Sequence, residues 1–325
     1  MKILVSPNLK DKEKERLCSH FPNEDFTFIH YDNVVQEDVD ATDILIGNLH
    51  GNINVNRENI QFMQLNSAGS DHYIQKGIVH PNTKLTNASG IYGKAIAEHT
   101  IGMILALNKN IPYYVNNMKE GIWKDFRGGK ELYHSTIAII GLGDLGYALA
   151  KRLKAFETHI IGVKRTASPL PKYIDEIYTI DALDTVLPKA DFVILCLPQT
   201  KETIHLINKD KLALMKSDAM LINVGRGSAI CTKDLIDALQ SNQLYGAALD
   251  VTEQEPLPSE HPLWKMNNVL ITPHSSGGFV WDSVRELFID LTIRNLKHFF
   301  NNEELENTVD FTTGYRKHNT TLKNQ

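Results

Sequence analysis

From the N-terminus, short apolar runs recur at Lys2–Val5, Phe26–Ile29, Asp43–Gly47, Met63–Asn66 and Lys84–Ala88, with polar or helix-like stretches between them. Runs of this length alternating with longer amphipathic segments predict strands joined by crossovers, the pattern of a parallel α/β unit. The pattern changes at Gly93. Ala95–Lys109 (AIAEHTIGMILALNK) is apolar at helical spacing over a broad face. A face that wide needs more than one packing partner, so this helix is expected to bridge two domains or two subunits. A second alternating series predicts strands at Thr136–Ile140, His159–Val163, Glu176–Ile180, Asp191–Leu195, Ala219–Val224, Leu244–Leu249 and Asn268–Ile271. Helices are predicted between several of them, at Leu145–Ala155 and Thr232–Ser241 for example. This is the pattern of a doubly wound, nucleotide-binding sheet. A last helix, Val280–Phe300, is expected to return the chain to the first domain, and the polar tail after Tyr315 is expected to be disordered. No fixed-period repeat or low-complexity tract interrupts the scheme.

A length of 325 residues corresponds to about two domains. With 42% apolar and 22% charged residues, the chain has enough apolar side chains to fill their cores. A net charge of −5 gives no pull toward nucleic acid or an anionic membrane, and no basic run resembles a nucleic-acid arm. No segment approaches about 18 uninterrupted apolar residues, so no membrane span is expected. The opening MKILVSPNLK is too short and too soon charged for a signal-peptide core. Cys18, Cys196 and Cys231 form neither a CxxC pair nor a disulfide framework. They are expected to be thiols of a cytoplasmic protein, and the sequon Asn87-Ala88-Ser89 is read as coincidence.

Candidate chemistry begins with the loop Gly141-Leu142-Gly143-Asp144-Leu145-Gly146. Alone, GxGxxG is weak. Here it follows the strand TIAII and opens the helix YALAKRLKAF, the context that makes it a dinucleotide fingerprint. The first glycine allows the turn, the second lets a pyrophosphate approach the backbone, and the third lets the helix pack close to the strand. The next strand ends at Lys164-Arg165-Thr166, where NAD-binding folds commonly carry an acidic residue for the ribose hydroxyls. Two cations in that place can hold a 2′-phosphate, so NADP(H) is the expected preference. In the other reading both cations are solvated and NAD(H) is also accepted. The pair Tyr147 and Lys151 matches the Tyr-x-x-x-Lys of short-chain dehydrogenases, but lies on the cofactor helix, where it is expected to pack under the sheet far from the nicotinamide.

Three later segments each follow an apolar strand and so fall at the carboxyl edge, where doubly wound sheets bind ligands. Leu221–Ser228 carries Arg226 between two glycines, suited to bidentate capture of a carboxylate or, alternatively, to a structural salt bridge. Ala248–Pro256 offers Asp250, Glu253 and Glu255, and Val269–Gly278 offers His274 after a proline. A lone histidine is more often structural. A histidine with a carboxylate and an arginine in three strand-end loops suits hydride chemistry at a secondary alcohol. The histidine exchanges the hydroxyl proton, the carboxylate stabilises the imidazolium, and the arginine anchors the substrate.

The segments NSAGSDHY (66–73), NASGIYGKAIAEH (87–99), IIGLGDLG (139–146), ADFVILCLPQTKETIHLIN (190–208), INVGRGS (222–228), AALDVTEQEPLP (247–258) and TPHSSG (272–277) together resemble the D-isomer-specific 2-hydroxyacid dehydrogenases over nearly the whole chain. This group includes phosphoglycerate dehydrogenases and glyoxylate/hydroxypyruvate reductases. The resemblance implies an α/β fold of two Rossmann-like or flavodoxin-like parallel-sheet domains. An NAD(P)-binding domain, residues 93–284, is inserted into a substrate domain made of residues 1–92 and 285–325. It implies a catalytic set of Arg226, Glu255 and His274, with substrate held also by Ala68 and Gly69. It implies cofactor contacts from Gly141, Gly143, Asp144, Leu145, Gly146, Lys164, Arg165, Thr166, Leu197, Pro198, Thr203, Val224, Gly225, Asp250, His274 and Gly277, and no metal. The expected partners are a small 2-oxo or 2-hydroxy acid and a second copy of the chain, paired through the helix near 95–109. The expected activity is hydride transfer between NAD(P)H and a 2-oxo acid, in the reductive direction. Loops at Asn48–Gly51, Tyr92 and Trp281 are expected to form the side-chain pocket, with His50 suited to a polar substrate. Two features depart from the family pattern. Lys164 and Arg165 stand where NAD-specific members have an acidic residue, and the chain leaves no room for the regulatory domain of some phosphoglycerate dehydrogenases. Glu255 argues against the formate dehydrogenase branch, which has glutamine there. The alternative function is an NAD(H)-sensing binding protein of the co-repressor type, which keeps the same triad.

Overall fold

The computed structural model describes residues 1–126 and 128–312, so the tail after Tyr315 lies outside the described residues. The chain divides into two compact units, Met1–Tyr92 with Phe279–Gln325, and Gly93–Gly278. The second crossing falls between Gly278 and Phe279 rather than after residue 284. Arg285 donates from Nη1 to the carbonyls of Phe279 (2.9 Å) and Val280 (2.6 Å), tying that lead-in segment to the final helix.

In the first unit, β1 (Lys2–Val5), β2 (Asp25–Phe28), β3 (Ile44–Ile46), β4 (Phe62–Gln64) and β5 (Lys84–Thr86) form a parallel sheet in the order β2-β1-β3-β4-β5. Helix α1 (Asp11–His20) follows β1, and the short α2 (Gln36–Asp40) precedes β3. The central strands are buried on both faces, as parallel strands must be when crossovers cover them. Gln64 is nevertheless polar and fully buried. Its Oε1 accepts from the Thr86 hydroxyl (2.8 Å) and from Asn295 (2.7 Å), and its own amide donates to the Leu65 carbonyl (2.9 Å), so no polar atom of the side chain is stranded.

The second unit contains α3 (Gly93–Asn108), α4 (Ile111–Lys119), β6 (Thr136–Ile140), α5 (Asp144–Leu153), β7 (His159–Lys164), β8 (Glu176–Thr179), α6 (Leu183–Val186), β9 (Phe192–Leu195), α7 (Lys209–Leu214), β10 (Met220–Asn223), α8 (Thr232–Gln240), β11 (Gly246–Leu249) and β12 (Val269–Ile271). Its seven strands are all parallel, in the order β12-β11-β10-β9-β6-β7-β8. The strand order reverses between β6 and β9, and such a switch point opens a crevice at the carboxyl edge of the sheet. Ala97, Met103, Ile104 and Leu107 of α3 join the core on one face of this sheet, so most of the helix is committed to its own unit. Just beyond it, Ile111, Val115 and Met118 on α4 and Ile122, Trp123 and Phe126 after it are exposed apolar side chains.

The last helix among the described residues, α9 (Asp282–Phe300), packs in the first unit beside α1. Arg285 Nε meets Glu13 Oε1 at 3.1 Å, with the two side chains 7% and 4% exposed. The other Glu13 oxygen accepts the Lys10 N–H at 2.7 Å, so each buried charge has more than one partner. Among the described residues no helix is long and apolar enough to cross a membrane.

Asp191 lies just before β9. One carboxyl oxygen accepts the Thr136 N–H (2.9 Å) and the other meets Lys130 (3.0 Å) and Lys216 (2.9 Å). Partial burial pushes its carboxyl upward, but the Thr136 N–H and the two ammonium groups outweigh that and hold it below the usual carboxylate range. A depressed folded-state value contributes stability above the ordinary carboxylate pKa, and that stability is lost as pH falls through the lower value. Asp191→Asn is therefore expected to cost about 1–2 kcal/mol near neutrality. The gap between wild-type and variant melting curves should close below about pH 4. A gap independent of pH would contradict this.

Candidate active site

Two of the three fingerprint glycines are required by the polypeptide itself. Gly141 has φ +104°, and a Cβ there would lie 2.7 Å from the Cys196 carbonyl oxygen, where the loops after β6 and β9 pass at the switch point. A Cβ on Gly146 would lie 2.2 Å from the Gly141 carbonyl oxygen, so α5 can start this close to its strand only with glycine there. Gly143 is different. No other heavy atom lies within 4 Å of a Cβ built on it, and it caps α5 with no side-chain hydrogen bond. Nothing inside the protein requires glycine at that point. An open backbone at a helix N-terminus fits a pyrophosphate. Asp144 and Leu145 form the first turn of α5.

Lys164 ends β7, and its Nζ lies 3.2 Å from the Ser168 hydroxyl, while Arg165 and Thr166 are exposed in the following loop. Leu197 and Pro198 follow β9. Thr203 is nearly buried, its hydroxyl donating to the Pro198 carbonyl (2.8 Å) and accepting the Thr200 N–H (2.8 Å), so it shapes the 198–203 turn from within. Cys196 sits at the strand end with its thiol pushed up to about 12 by burial, which leaves it no thiolate chemistry near neutral pH. Tyr147 does not pack under the sheet. The buried face of α5 is Gly146, Leu149, Ala150 and Leu153, which leaves Tyr147 outward with its ring 5.9 Å from that of Tyr173.

Arg226, Asp250 with Glu255, and His274 follow β10, β11 and β12, which are neighbours in the sheet. Val224 and Gly225 lead to Arg226 along a backbone that leaves no room for side chains at either flanking glycine. A Cβ on Gly225 would meet the Leu197 carbonyl oxygen at 2.5 Å, and one on Gly227 the Thr252 carbonyl oxygen at 1.9 Å. The buried Asn223 side chain braces this turn, donating to the Arg226 carbonyl (2.9 Å) and accepting the Gly225 N–H (3.1 Å). Arg226 thus has a well-defined backbone, and its Nη1 donates to the Gly225 carbonyl at 3.0 Å.

His274 Nδ1 lies 2.8 Å from Glu255 Oε2, and Glu255 Oε1 accepts the Thr252 N–H at 3.0 Å. The carboxylate accepts only, so Nδ1 carries the proton and Nε2 is the nitrogen left to take up or release one. His274 itself sits at φ +51°, a conformation that non-glycine residues hold only when their surroundings impose it. Asp250 does the imposing. Its side chain is 1% exposed, and its oxygens accept the Thr272 hydroxyl (2.5 Å), the N–H of Ser275 (3.0 Å) and of Ser276 (3.2 Å), and the Ser276 hydroxyl. The Asp250 carbonyl takes the His274 N–H at 2.8 Å. Gly277 completes the same turn.

Thr272, Ser276 and His205 were not among the residues singled out from the sequence, whereas Glu253, the partner of His205, was. His205 Nε2 lies 2.5 Å from Glu253, whose other oxygen accepts the Thr232 N–H at the start of α8. Partial burial raises the Glu253 carboxyl, but the His205 and Thr232 hydrogen bonds prevail and keep it below the usual range. The segment carrying Glu255 is thereby pinned. The alternation of small polar residues around Pro273 was the available signal for Thr272 and Ser276.

Ala68 and Gly69 belong to the other unit, after β4. Their carbonyls accept from Asn87 (2.9 Å) and from the Ser67 hydroxyl (2.6 Å). Among the described residues no acceptor takes the N–H of either, so the loop presents two donors, as a carboxylate ligand requires. Asn48 braces this loop, exchanging hydrogen bonds with Asn66 (2.8 and 3.1 Å) and donating to the Ser67 hydroxyl (2.9 Å). The Tyr92 hydroxyl donates to the Asn66 carbonyl, and burial pushes its pKa upward. His50 is tied to Asp32 at 2.8 Å, and Trp281 is largely exposed. No group of three or more His, Cys, Asp or Glu side chains among the described residues is arranged to hold a metal ion.

A doubly wound sheet with a glycine fingerprint and a strand-end Arg, Glu and His defines a nicotinamide-dependent oxidoreductase as the class. Residues 101–276 match the NAD-binding domain of the D-isomer specific 2-hydroxyacid dehydrogenases. The chain is 37% identical over 250 residues to a glyoxylate reductase of Thermofilum pendens, covering 73% of this chain and 71% of that one. It superposes on a D-isomer specific 2-hydroxyacid dehydrogenase family protein from Aeromonas salmonicida with a TM-score of 0.86 at 29% identity, covering 95% and 98% of the two chains. It also superposes on an NADPH-dependent glyoxylate/hydroxypyruvate reductase from Sinorhizobium meliloti, solved with NADP and sulfate, with a TM-score of 0.80 at 26% identity over 97% and 99% of the chains. The chain belongs to the D-isomer specific 2-hydroxyacid dehydrogenase family, whose members are NAD(P)-dependent oxidoreductases of 2-hydroxy acids.

The glycines separate folding from binding. Gly146→Ala should cost about 1–3 kcal/mol, since the backbone must move to admit the methyl group. Gly143→Ala should change stability by no more than about 1 kcal/mol and weaken dinucleotide binding about tenfold or more, measured by calorimetry. Unchanged affinity in Gly143→Ala would contradict the fit.

Proposed function

We propose that the protein reduces a small 2-oxo acid to the D-2-hydroxy acid with NADPH as the preferred donor, with Gly93–Gly278 as the NAD(P)-binding domain and Met1–Tyr92 with the C-terminal segment as the substrate domain. The observation that carries this reading is the His274–Glu255 pair, 2.8 Å apart in neighbouring strand-end loops. When bound, the reduced nicotinamide supplies a hydride.

The protein's own residues do the rest. In the substrate domain the N–H groups of Ala68 and Gly69 receive a carboxylate. In the NAD(P) domain Arg226 supplies a planar, permanently charged group for the 2-oxo acid. His274, protonated at both nitrogens, donates from Nε2 to the oxygen that gains negative charge, and Glu255 stabilises the imidazolium through Nδ1. Asp250 neighbours the cofactor's carboxamide. The loops at Gly141–Gly146, Lys164–Thr166, Leu197–Thr203, Val224–Gly225 and Gly277 hold the rest of the dinucleotide.

Lys164 and Arg165 support the NADPH preference, because the segment that ends β7 reads Lys164-Arg165-Thr166, with cations where NAD-binding folds commonly carry an acidic residue for the ribose hydroxyls. The exposed apolar positions 111, 115 and 118, at helical spacing on α4, with Ile122 just after it, support a homodimer paired through this segment as well as α3. The three free thiols, Cys18, Cys196 and Cys231, fit the reducing conditions of a cytoplasmic location.

His274→Ala should lower kcat about 10³-fold while dinucleotide Kd stays within about twofold, measured by stopped-flow turnover and fluorescence titration. An unchanged kcat would remove His274 from the mechanism. Wild-type protein assayed with glyoxylate, hydroxypyruvate, pyruvate and 3-phosphohydroxypyruvate should show higher kcat/KM with NADPH than with NADH. The double variant Lys164→Ala/Arg165→Ala should reduce that ratio about tenfold or more, and a clear NADH preference in the wild type would overturn the assignment.

A further inference from the structure

We infer that His99, on α3, is a positioning residue for the proton carrier His274, acting through Thr272 and Asp250. The inference deepens the functional reading above and rests on His274 as the residue that exchanges the proton. His99 was not selected by sequence reasoning, because its segment reads as a packing helix.

The geometry is a chain of directed hydrogen bonds. The Thr272 hydroxyl has one hydrogen, and its short contact is with Asp250 Oδ1 at 2.5 Å, so it donates there. His99 Nε2 lies 3.1 Å from the same hydroxyl oxygen. With its hydrogen committed, that oxygen can only accept, and His99 must be the tautomer protonated on Nε2. Met103 Sδ, at 3.8 Å from the hydroxyl, then lies in contact with it without receiving the proton. His99 Nε2 is also 3.8 Å from Asp250 Oδ1, so the imidazole flanks the buried carboxylate as well as aiming the threonine at it.

What lies downstream makes the chain consequential. The Asp250 carboxylate gathers Thr272, Ser275 and Ser276 into one turn, and the residue at the centre of that turn is His274 at φ +51°. His274 cannot hold this backbone by itself. Removing the donor on Thr272 frees the hydroxyl to rotate, removes one constraint on Asp250 and loosens the turn. A misplacement of the proton carrier by a fraction of an ångström lowers turnover while leaving ground-state binding nearly intact.

A double-mutant cycle on the full-length protein tests this. His99→Phe should lower kcat about tenfold, with KM for the 2-oxo acid and dinucleotide Kd within about twofold. In a Thr272→Val background, where the link is already cut, the same change should cost less than about twofold. His99→Gln, whose amide nitrogen reaches where Nε2 stood and can donate, should recover most of the loss. The cycle is read a second time without turnover, from the 15N shifts of the His274 ring in histidine-labelled protein: His99→Phe should move them in the wild-type background and leave them in place with Thr272→Val. Additive effects in both readouts, or no effect of His99→Phe on either, would overturn the role of His99. Failure of the wider reading is seen separately, as a wild type without turnover on any 2-oxo acid, and the NMR cycle still decides the positioning question in that case.

Discussion

A carboxylate removed from water has to be answered by donors, and the donors it recruits lose their freedom to be anywhere else. Asp250 is the place where this constraint shapes the protein most. Its carboxylate follows β11 and collects the Thr272 hydroxyl, two consecutive backbone N–H groups and the Ser276 hydroxyl. Those groups all lie in the loop after β12, so one buried charge draws one strand-end loop over its neighbour. His274 holds its left-handed backbone within that loop, and Glu255 meets its ring from the Asp250 side. A neutral amide in place of this carboxylate would offer one acceptor oxygen instead of two and bring two donors of its own into a site already full of donors. The geometry around His274 is therefore a consequence of charge burial as much as of chain connectivity.

Strand existence was legible throughout. Each of the twelve strands among the described residues overlaps a segment read as strand: the central strands are covered on both faces and almost continuously hydrophobic, while the edge strand β2 (DFTF) shows the alternation of a half-covered one. Their ends were less legible. The run Ala219–Val224 is strand only from Met220 to Asn223, since Val224 already belongs to the turn that Asn223 braces. The Arg, Glu and His were also visible, as polar residues standing after such runs. Less visible were the groups that orient them. Thr272, Ser276, Asn223 and His205 are ordinary in type and act by contacts across loops distant in sequence, which periodicity does not carry. Tyr147 shows the opposite error. A motif match drew attention to its chemistry, but which face of α5 it occupies is decided by Leu149, Ala150 and Leu153.

The glycines divide on the same principle. Gly141, Gly146, Gly225 and Gly227 are pressed against neighbouring backbone, so the fold alone accounts for them. Gly143 faces open space, and no packing contact accounts for it. A sequence motif treats the three fingerprint glycines alike, whereas the structure separates two that packing requires from one that packing leaves unconstrained.

The return of α9 to the first unit has a consequence for how the protein is made. Its buried face supplies Val284, Phe288, Ile289 and Leu296, and its Asn295 satisfies Gln64 in the middle of the first sheet. Val309 pairs with Leu85 and Asn307 with Asn87, extending the support to β5. Residues 1–92 leave the ribosome first but lack this layer until residues near 309 have been synthesised. The inserted unit, contiguous from Gly93 to Gly278, has all its parts much earlier. Synthesis therefore reverses the order of the chain: the half that starts first is the half that finishes folding last, and its apolar strands spend that interval exposed to whatever else is in the cell.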